Sequence, residues 1–97
     1  MGIIISPKIL EKMRDKHQVD PKEVSECFSN RCGKELEDTR EDHATDPPTR
    51  WFIARTNHRR LLKLAYVCRG SNIYIRTAYE PNADELSIYR RHGGDTE

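Results

Sequence analysis

Apolar residues recur along the chain at two different periods, and the change of period divides it into a helical opening, a stranded middle and a helical end. Ile9, Leu10 and Met13 recur at helical spacing, and His17 extends that face. Ser6-Pro7 precedes them: a serine hydroxyl caps free backbone N–H groups, and proline suits the first helical position. This predicts a helix over 7–17. Asp20-Pro21-Lys22-Glu23 repeats the logic with a capping-box spacing and opens a second helix over 20–29, with Val24, Cys27 and Phe28 as its buried stripe. The segment Asn30 to Gly33 breaks it.

The period then shortens. Lys34 to Thr39 is a weak strand, and the polar stretch from Arg40 to Thr49, ending in Pro47-Pro48, reads as an exposed loop. Arg50 to Arg55 is a strand rich in Trp, Phe and Ile, followed by a polar turn from Thr56 to Arg60. Leu61 to Cys68 is nearly continuous in apolar residues, as a central strand should be. Arg69-Gly70-Ser71-Asn72 is a hairpin turn into a last strand, Ile73 to Tyr79. Pro81 stops that strand. Asn82, with Glu85 at the reciprocal position, caps a final helix that Gly93-Gly94 ends. Strands joined by hairpins and flanked by helices define an α+β domain. The expectation is an antiparallel sheet of three to four strands, with two N-terminal helices on one face and one C-terminal helix.

Strand alternation assigns faces. Ile73, Ile75, Thr77 and Tyr79 point one way, under the helices; Tyr74, Arg76, Ala78 and Glu80 point to the open side. Leu61, Lys63, Ala65 and Val67 alternate with Leu62, Leu64 and Tyr66, so Lys63 joins Arg76 on the open face.

Length and composition bound the rest. A chain of 97 residues makes one domain, 1–97, with a modest core, so a shallow surface site is expected over a deep pocket. The net charge of +1 conceals a segregation. Arg50, Arg55, Arg59, Arg60, Lys63, Arg69 and Arg76 fall within 50–79, a stretch with no Asp or Glu, whereas Glu35, Glu37, Asp38, Glu41, Asp42 and Asp46 form an acidic run just before it. Such a zone creates a local positive field whatever the total charge. A basic sheet with aromatic residues suits a phosphate backbone and stacked bases, so the expected partner is RNA. Arginines on a solvated face, partly neutralised by the acidic run, are the alternative.

Cys27, Cys32 and Cys68 are an odd count without paired spacing, which argues for reduced thiols. Zinc held by Cys27, Cys32 and His43 has no close-spaced ligand pair to support it, and neither metal nor cofactor is expected. No apolar stretch approaches membrane-spanning length. The run Gly2-Ile3-Ile4-Ile5 is too short for a signal peptide and has no basic flank before it, so a cytoplasmic protein is expected.

Short motifs add a resemblance. Lys16-His17-Gln18-Val19, followed by Glu23-Val24 and Cys27-Phe28, resembles the Lys-His-Gly-Val and Glu-Glu-x-x-x-x-Phe opening of BrnT-type toxins. Arg50-Trp51-Phe52-Ile53, then Arg60-Leu61-Leu62 and the strand to Val67, resembles their central hairpin. Ile73-Tyr74-Ile75-Arg76-Thr77-Ala78, then Glu85 and Tyr89, resembles their Ile-x-Ile-x-Ser-Ala ending with its Glu-x-x-x-Tyr helix. The match spans residues 7 to 91, with Tyr79 where the family carries Arg after the Ser-Ala pair. The resemblance implies a RelE-like fold, a metal-independent ribonuclease toxin, and a small DNA-binding antitoxin that neutralises it. The same fold kept as a non-catalytic binding module is the alternative.

Metal-free RNA cleavage needs a base for the ribose hydroxyl proton, cations for the phosphorane charge and an acid for the leaving oxygen. Arginine suits the cationic role because it stays charged and forks onto phosphate. Arg76, Arg60 and Arg50 are candidates, with His58 and Glu80 as bases. Arg50, Arg55, Arg59, Lys63, Tyr74 and Tyr79 are candidate RNA contacts, and Tyr79 or Tyr89 could stack a base or donate a proton. Plainer roles compete: His58 as an exposed turn residue, Glu80 as an arginine partner, Tyr74 as a strand tyrosine, Tyr89 in core packing and Glu85 as a cap.

Overall fold

The computed structural model describes residues 2–38, 47–94 and 96. Its elements run β1 (Gly2–Ile4), α1 (Pro7–His17), α2 (Pro21–Ser29), β2 (Leu36–Glu37), β3 (Arg50–Arg55), β4 (Leu61–Arg69), β5 (Asn72–Tyr79) and α3 (Ala83–His92). The chain is α+β, with a five-stranded sheet in the order β1-β5-β4-β3-β2. The helix starts form as their caps dictate. Ser6 Oγ accepts the Ile9 N–H at 3.3 Å, and capping boxes close at Asp20/Glu23 and at Asn82/Glu85.

Two features correct the expected sheet. It is mixed: Gly2, Ile3 and Ile4 add β1 parallel to β5, against Asn72, Ile73 and Tyr74, while the other pairs are antiparallel. The N-terminal isoleucines therefore serve as an edge strand. At the other edge β2 is only two residues long, extended by the Asp38 N–H donating to Thr49 O at 2.8 Å; Thr39 and the loop residues 40–46 lie outside the described residues.

The second correction concerns faces. The register slips between Ala65 and Tyr66: Ala65 opposes Thr77, but Tyr66 opposes Ile75, so Arg76 is an extra residue on β5. A bulge of this kind bends a strand and reverses its alternation. Hence Ala78 joins Ile73 and Ile75 in the core, opposite Leu64, while Tyr74, Thr77 and Tyr79 share the other face. Phe52, Leu64 and Tyr66 lie under α1 and α2, where Phe28 packs edge-on against Phe52 and Tyr66 at 4.9 and 5.4 Å. The opposite face is not open as expected, because α3 covers it: Tyr89 contacts Trp51, and Lys63, only 8% exposed, lies beneath Glu85.

Tyr89 anchors α3. Its ring is fully buried, and its hydroxyl donates to Lys34 O at 2.9 Å while accepting the Ile53 N–H, so it satisfies part of the β3 edge that the short β2 leaves uncovered. Burial is the main reason its phenol sits above the ordinary value. A side chain at Gly93 would place its Cβ 2.4 Å from Tyr89 Cε1, so the chain leaves the helix against that ring only because the residue is glycine.

Candidate nucleic-acid interface

The turn joining β3 to β4 gathers several of the expected residues at one end of the sheet. Asn57, His58 and Arg59 are exposed there, and Arg59 lies in the left-handed region at φ 67°. The turn closes through Thr56: its N–H donates to Arg60 O at 2.8 Å, its carbonyl accepts the Arg59 N–H at 2.9 Å, and its hydroxyl accepts the Arg60 N–H at 3.1 Å. Arg55 stiffens it further by donating to Arg59 O at 3.0 Å. Behind the turn the Glu26 carboxylate accepts the Asn57 N–H at 3.0 Å.

Arg60 is built into the fold. Nη1 donates to Gln18 O at 2.7 Å and to both Glu23 oxygens at 3.2 and 3.3 Å; Nη2 donates to His17 O at 2.8 Å and to Glu80 Oε1 at 3.3 Å. One guanidinium thus ties the last carbonyls of α1 to the first turn of α2 and the end of β5. Its fork geometry is what makes this possible, since no ammonium could span these partners. Glu80 is close to Arg60, as an arginine partner would be, but its side chain is 67% exposed.

Next to this cluster, Lys63 enters a buried polar centre. Its Nζ donates to Glu85 Oε2 at 2.8 Å and stands 4.6 Å from the centre of the Trp51 ring and 5.7 Å from that of Tyr79. The Tyr79 hydroxyl donates to the same Glu85 oxygen, and the His17 ring lies 5.4 Å from the Tyr79 ring. Burial alone would raise the Glu85 carboxyl; hydrogen bonds from Lys63, Tyr79 and the Asn82 N–H outweigh it and hold the carboxyl below its ordinary value. The centre floors a groove of about 480 Å³ between β2 and α3, walled by Leu36, Trp51, Ile88 and His92. Lys63 and Tyr79 are therefore committed to Glu85.

The remaining candidates lie elsewhere. Arg76 is exposed on the bulge, four residues before Glu80, or about 13 Å along an extended strand. Exposed Arg50 and Arg69 and half-buried Tyr74 occupy the far end of the hairpins, and Arg69 is roughly 26 Å of strand from Leu61. The basic zone is thus a band of exposed arginines running along the sheet. Arg60 and Glu80 meet, beside the turn that carries His58, and Arg76 stands apart from them. Trp51, Ile88 and His92 were not candidates from sequence, and Glu85 was one only as a cap. Only the register that opposes Lys63 to Tyr79 exposes the second duty of Glu85.

Cys27 is buried, donates weakly to Ala54 O at 3.7 Å, and has its thiol pushed up to about 12, first by burial and then by Glu23 and Glu26. His43, the third residue of the zinc reading, lies outside the described residues, among which no group of three or more His, Cys, Asp or Glu could hold a metal ion. None of the described helices is long and apolar enough to cross a membrane. No family model matches the chain, and no curated protein matches it in sequence.

Proposed function

We propose that this chain is a BrnT-type protein of the RelE-like superfamily: a bacterial cytoplasmic toxin that binds RNA through its exposed arginines, cleaves it without metal and is neutralised by a small DNA-binding antitoxin. The observation that carries this reading is the band of exposed basic side chains on the hairpin elements, Arg50, Arg59, Arg69 and Arg76, in a stretch without a single carboxylate. The order of two helices, a hairpin sheet and a C-terminal helix supports it as well. In this reading Arg76 contributes the phosphate cation, because an exposed bulge residue aims its side chain away from the packed faces. His58 on the β3–β4 turn and Glu80, about 13 Å of strand from Arg76, are the candidate bases.

A second reading, the same fold as a non-catalytic module that binds RNA or a protein partner, is favoured by one observation. The guanidinium of Arg60 is occupied by the fold, and Arg76 stands about 13 Å of strand from Glu80, so among the described residues no acid, base and cation converge on one phosphate. Induced expression of the chain alone separates the two. Growth arrest with fragmented total RNA, both relieved by Arg76→Ala, supports the toxin. Unimpaired growth with intact RNA, alongside salt-sensitive RNA binding in vitro, supports the module.

A further inference from the structure

A second pocket, of about 370 Å³, lies against the β3–β4 turn and is lined by Asn30, Arg55, Thr56, Asn57, Arg59 and Thr96. Its chemistry differs from that of the groove under α3. The lining presents the Arg59 guanidinium, the Asn57 amide and the Thr56 and Thr96 hydroxyls, with Asn30 and Arg55 as supports, since Asn30 Nδ2 is taken up by Arg55 O and Asn57 Oδ1 and Arg55 donates to Arg59 O. We propose that this pocket is a phosphate-binding subsite with Arg59 as its principal cation. The inference deepens the RNA reading and rests on it only for the source of the phosphate.

Three observations converge. First, the donors are oriented. Asn30 Nδ2 donates to Arg55 O at 3.0 Å and to Asn57 Oδ1 at 2.9 Å, so the Asn57 amide has its oxygen occupied and its NH₂ left to donate outward. Second, the frame is rigid: Thr56, Arg55 and Glu26 hold the turn backbone from three sides. A rigid turn keeps its donors in place before a ligand arrives, which lowers the ordering cost of binding. Third, Arg59 stands in the left-handed region at φ 67°, where a side chain costs about 1–2 kcal/mol and Gly or Asn is the ordinary occupant of a hairpin turn. That strain is local to a residue whose guanidinium forms no ion pair with any described residue. Strain maintained at a cation that pairs with no described residue, beside a donor-lined pocket, is what a binding residue presents. Arginine rather than lysine allows two parallel N–H bonds to one phosphate.

The test is a titration of the full-length protein with inorganic phosphate, followed by NMR. Saturable shifts at the side chains of Asn30, Asn57 and Arg59 are expected. Arg59→Gly removes the guanidinium while suiting the positive φ, so the turn survives; it should weaken phosphate binding by about tenfold, as loss of one charged hydrogen bond would. Arg59→Lys, which keeps the charge but not the fork, should recover only part of the affinity. Two RNA oligonucleotides, one with a 5′-phosphate and one with a 5′-hydroxyl, distinguish the sources. Tighter binding of the first, lost in Arg59→Gly, assigns a terminal phosphate; equal binding of both, weakened equally in Arg59→Gly, assigns the RNA backbone. Phosphate binding with no affinity for either RNA upholds the subsite and removes the RNA reading. Shifts that never saturate, or an Arg59→Gly protein that binds phosphate as the wild type does, would overturn the proposal.

Discussion

Arg60→Ala separates a structural arginine from a catalytic one. The guanidinium makes two charge-assisted bonds to the carbonyls of His17 and Gln18 at 2.8 and 2.7 Å, and ion pairs to Glu23 and Glu80 at 3.2 and 3.3 Å. Bonds from a charged donor contribute about 1.5 kcal/mol each at the low end of their range, which applies here because the side chain is 24% exposed. The pair with Glu23 adds about 0.5 kcal/mol and that with exposed Glu80 nearly nothing. The expected loss is about 3.5 kcal/mol, which in a domain of this size lowers the melting temperature by roughly 14–28 °C. Urea unfolding followed by circular dichroism measures it. Arg60→Lys should recover less than half, since an ammonium cannot fork across partners on three elements. An Arg60→Ala protein within about 0.5 kcal/mol of wild type would refute this assignment and return Arg60 to the list of free cations.

Other substitutions probe the remaining elements. Lys63→Met should cost about 3 kcal/mol, since it strands the Glu85 carboxylate in a site where the two side chains are 10% and 18% exposed; adding Glu85→Gln should restore part of the loss, a non-additivity that a double-mutant cycle reads out. The Glu85 carboxyl is depressed below its ordinary 4.5, so its stabilisation is present above that pH and fades as pH falls through the folded value; Glu85→Gln, which can still close the capping box, should flatten this acid limb in urea midpoints measured against pH. Gly93→Ala should destabilise by about 1–3 kcal/mol, because the buried Tyr89 ring, pinned through its hydroxyl, cannot yield to the new Cβ; an unchanged melting temperature would show that the ring is free to move. Gln18→Gly should stabilise by up to about 1 kcal/mol, since Gln18 closes α1 at φ 51°, and thermal melts check the sign.

What could be read from the chain follows from how local each signal is. The caps at Ser6, Asp20 and Asn82 are formed by residues within three positions of their partners, and all three helices begin where those residues stand. The hairpin of β4 and β5 was equally legible, because a short turn joins two apolar runs. Features that depend on distant pairing were not. The strand at Gly2–Ile4 exists because Asn72–Tyr74 offers a parallel partner seventy residues away, and a three-residue apolar run carries no sign of that. The bulge at Arg76 shifts the faces of Thr77, Ala78 and Tyr79, and nothing in a strand's own alternation marks one extra residue. Lys63 read as an open-face cation for the same reason: its counter-charge, Glu85, sits 22 positions on, in a helix whose cap already accounted for that glutamate. Arg60 needed knowledge of where α1 ends in space, and sequence places its partners as many as 43 residues away.

Cleavage of a defined RNA by purified protein in excess chelator tests the functional claim most directly, with wild type and Arg76→Ala compared after circular dichroism has shown both to be folded. Arg76 is exposed and outside the core, so its loss should leave stability unchanged within about 0.5 kcal/mol. The expected result is cleavage by wild type that persists in chelator and falls by about two to three decades in the variant, as loss of one preorganised charge contact in a transition state would produce. Undiminished cleavage by Arg76→Ala would remove that residue from the site, and no cleavage by either protein, under conditions where wild type binds the RNA, would contradict the ribonuclease reading outright.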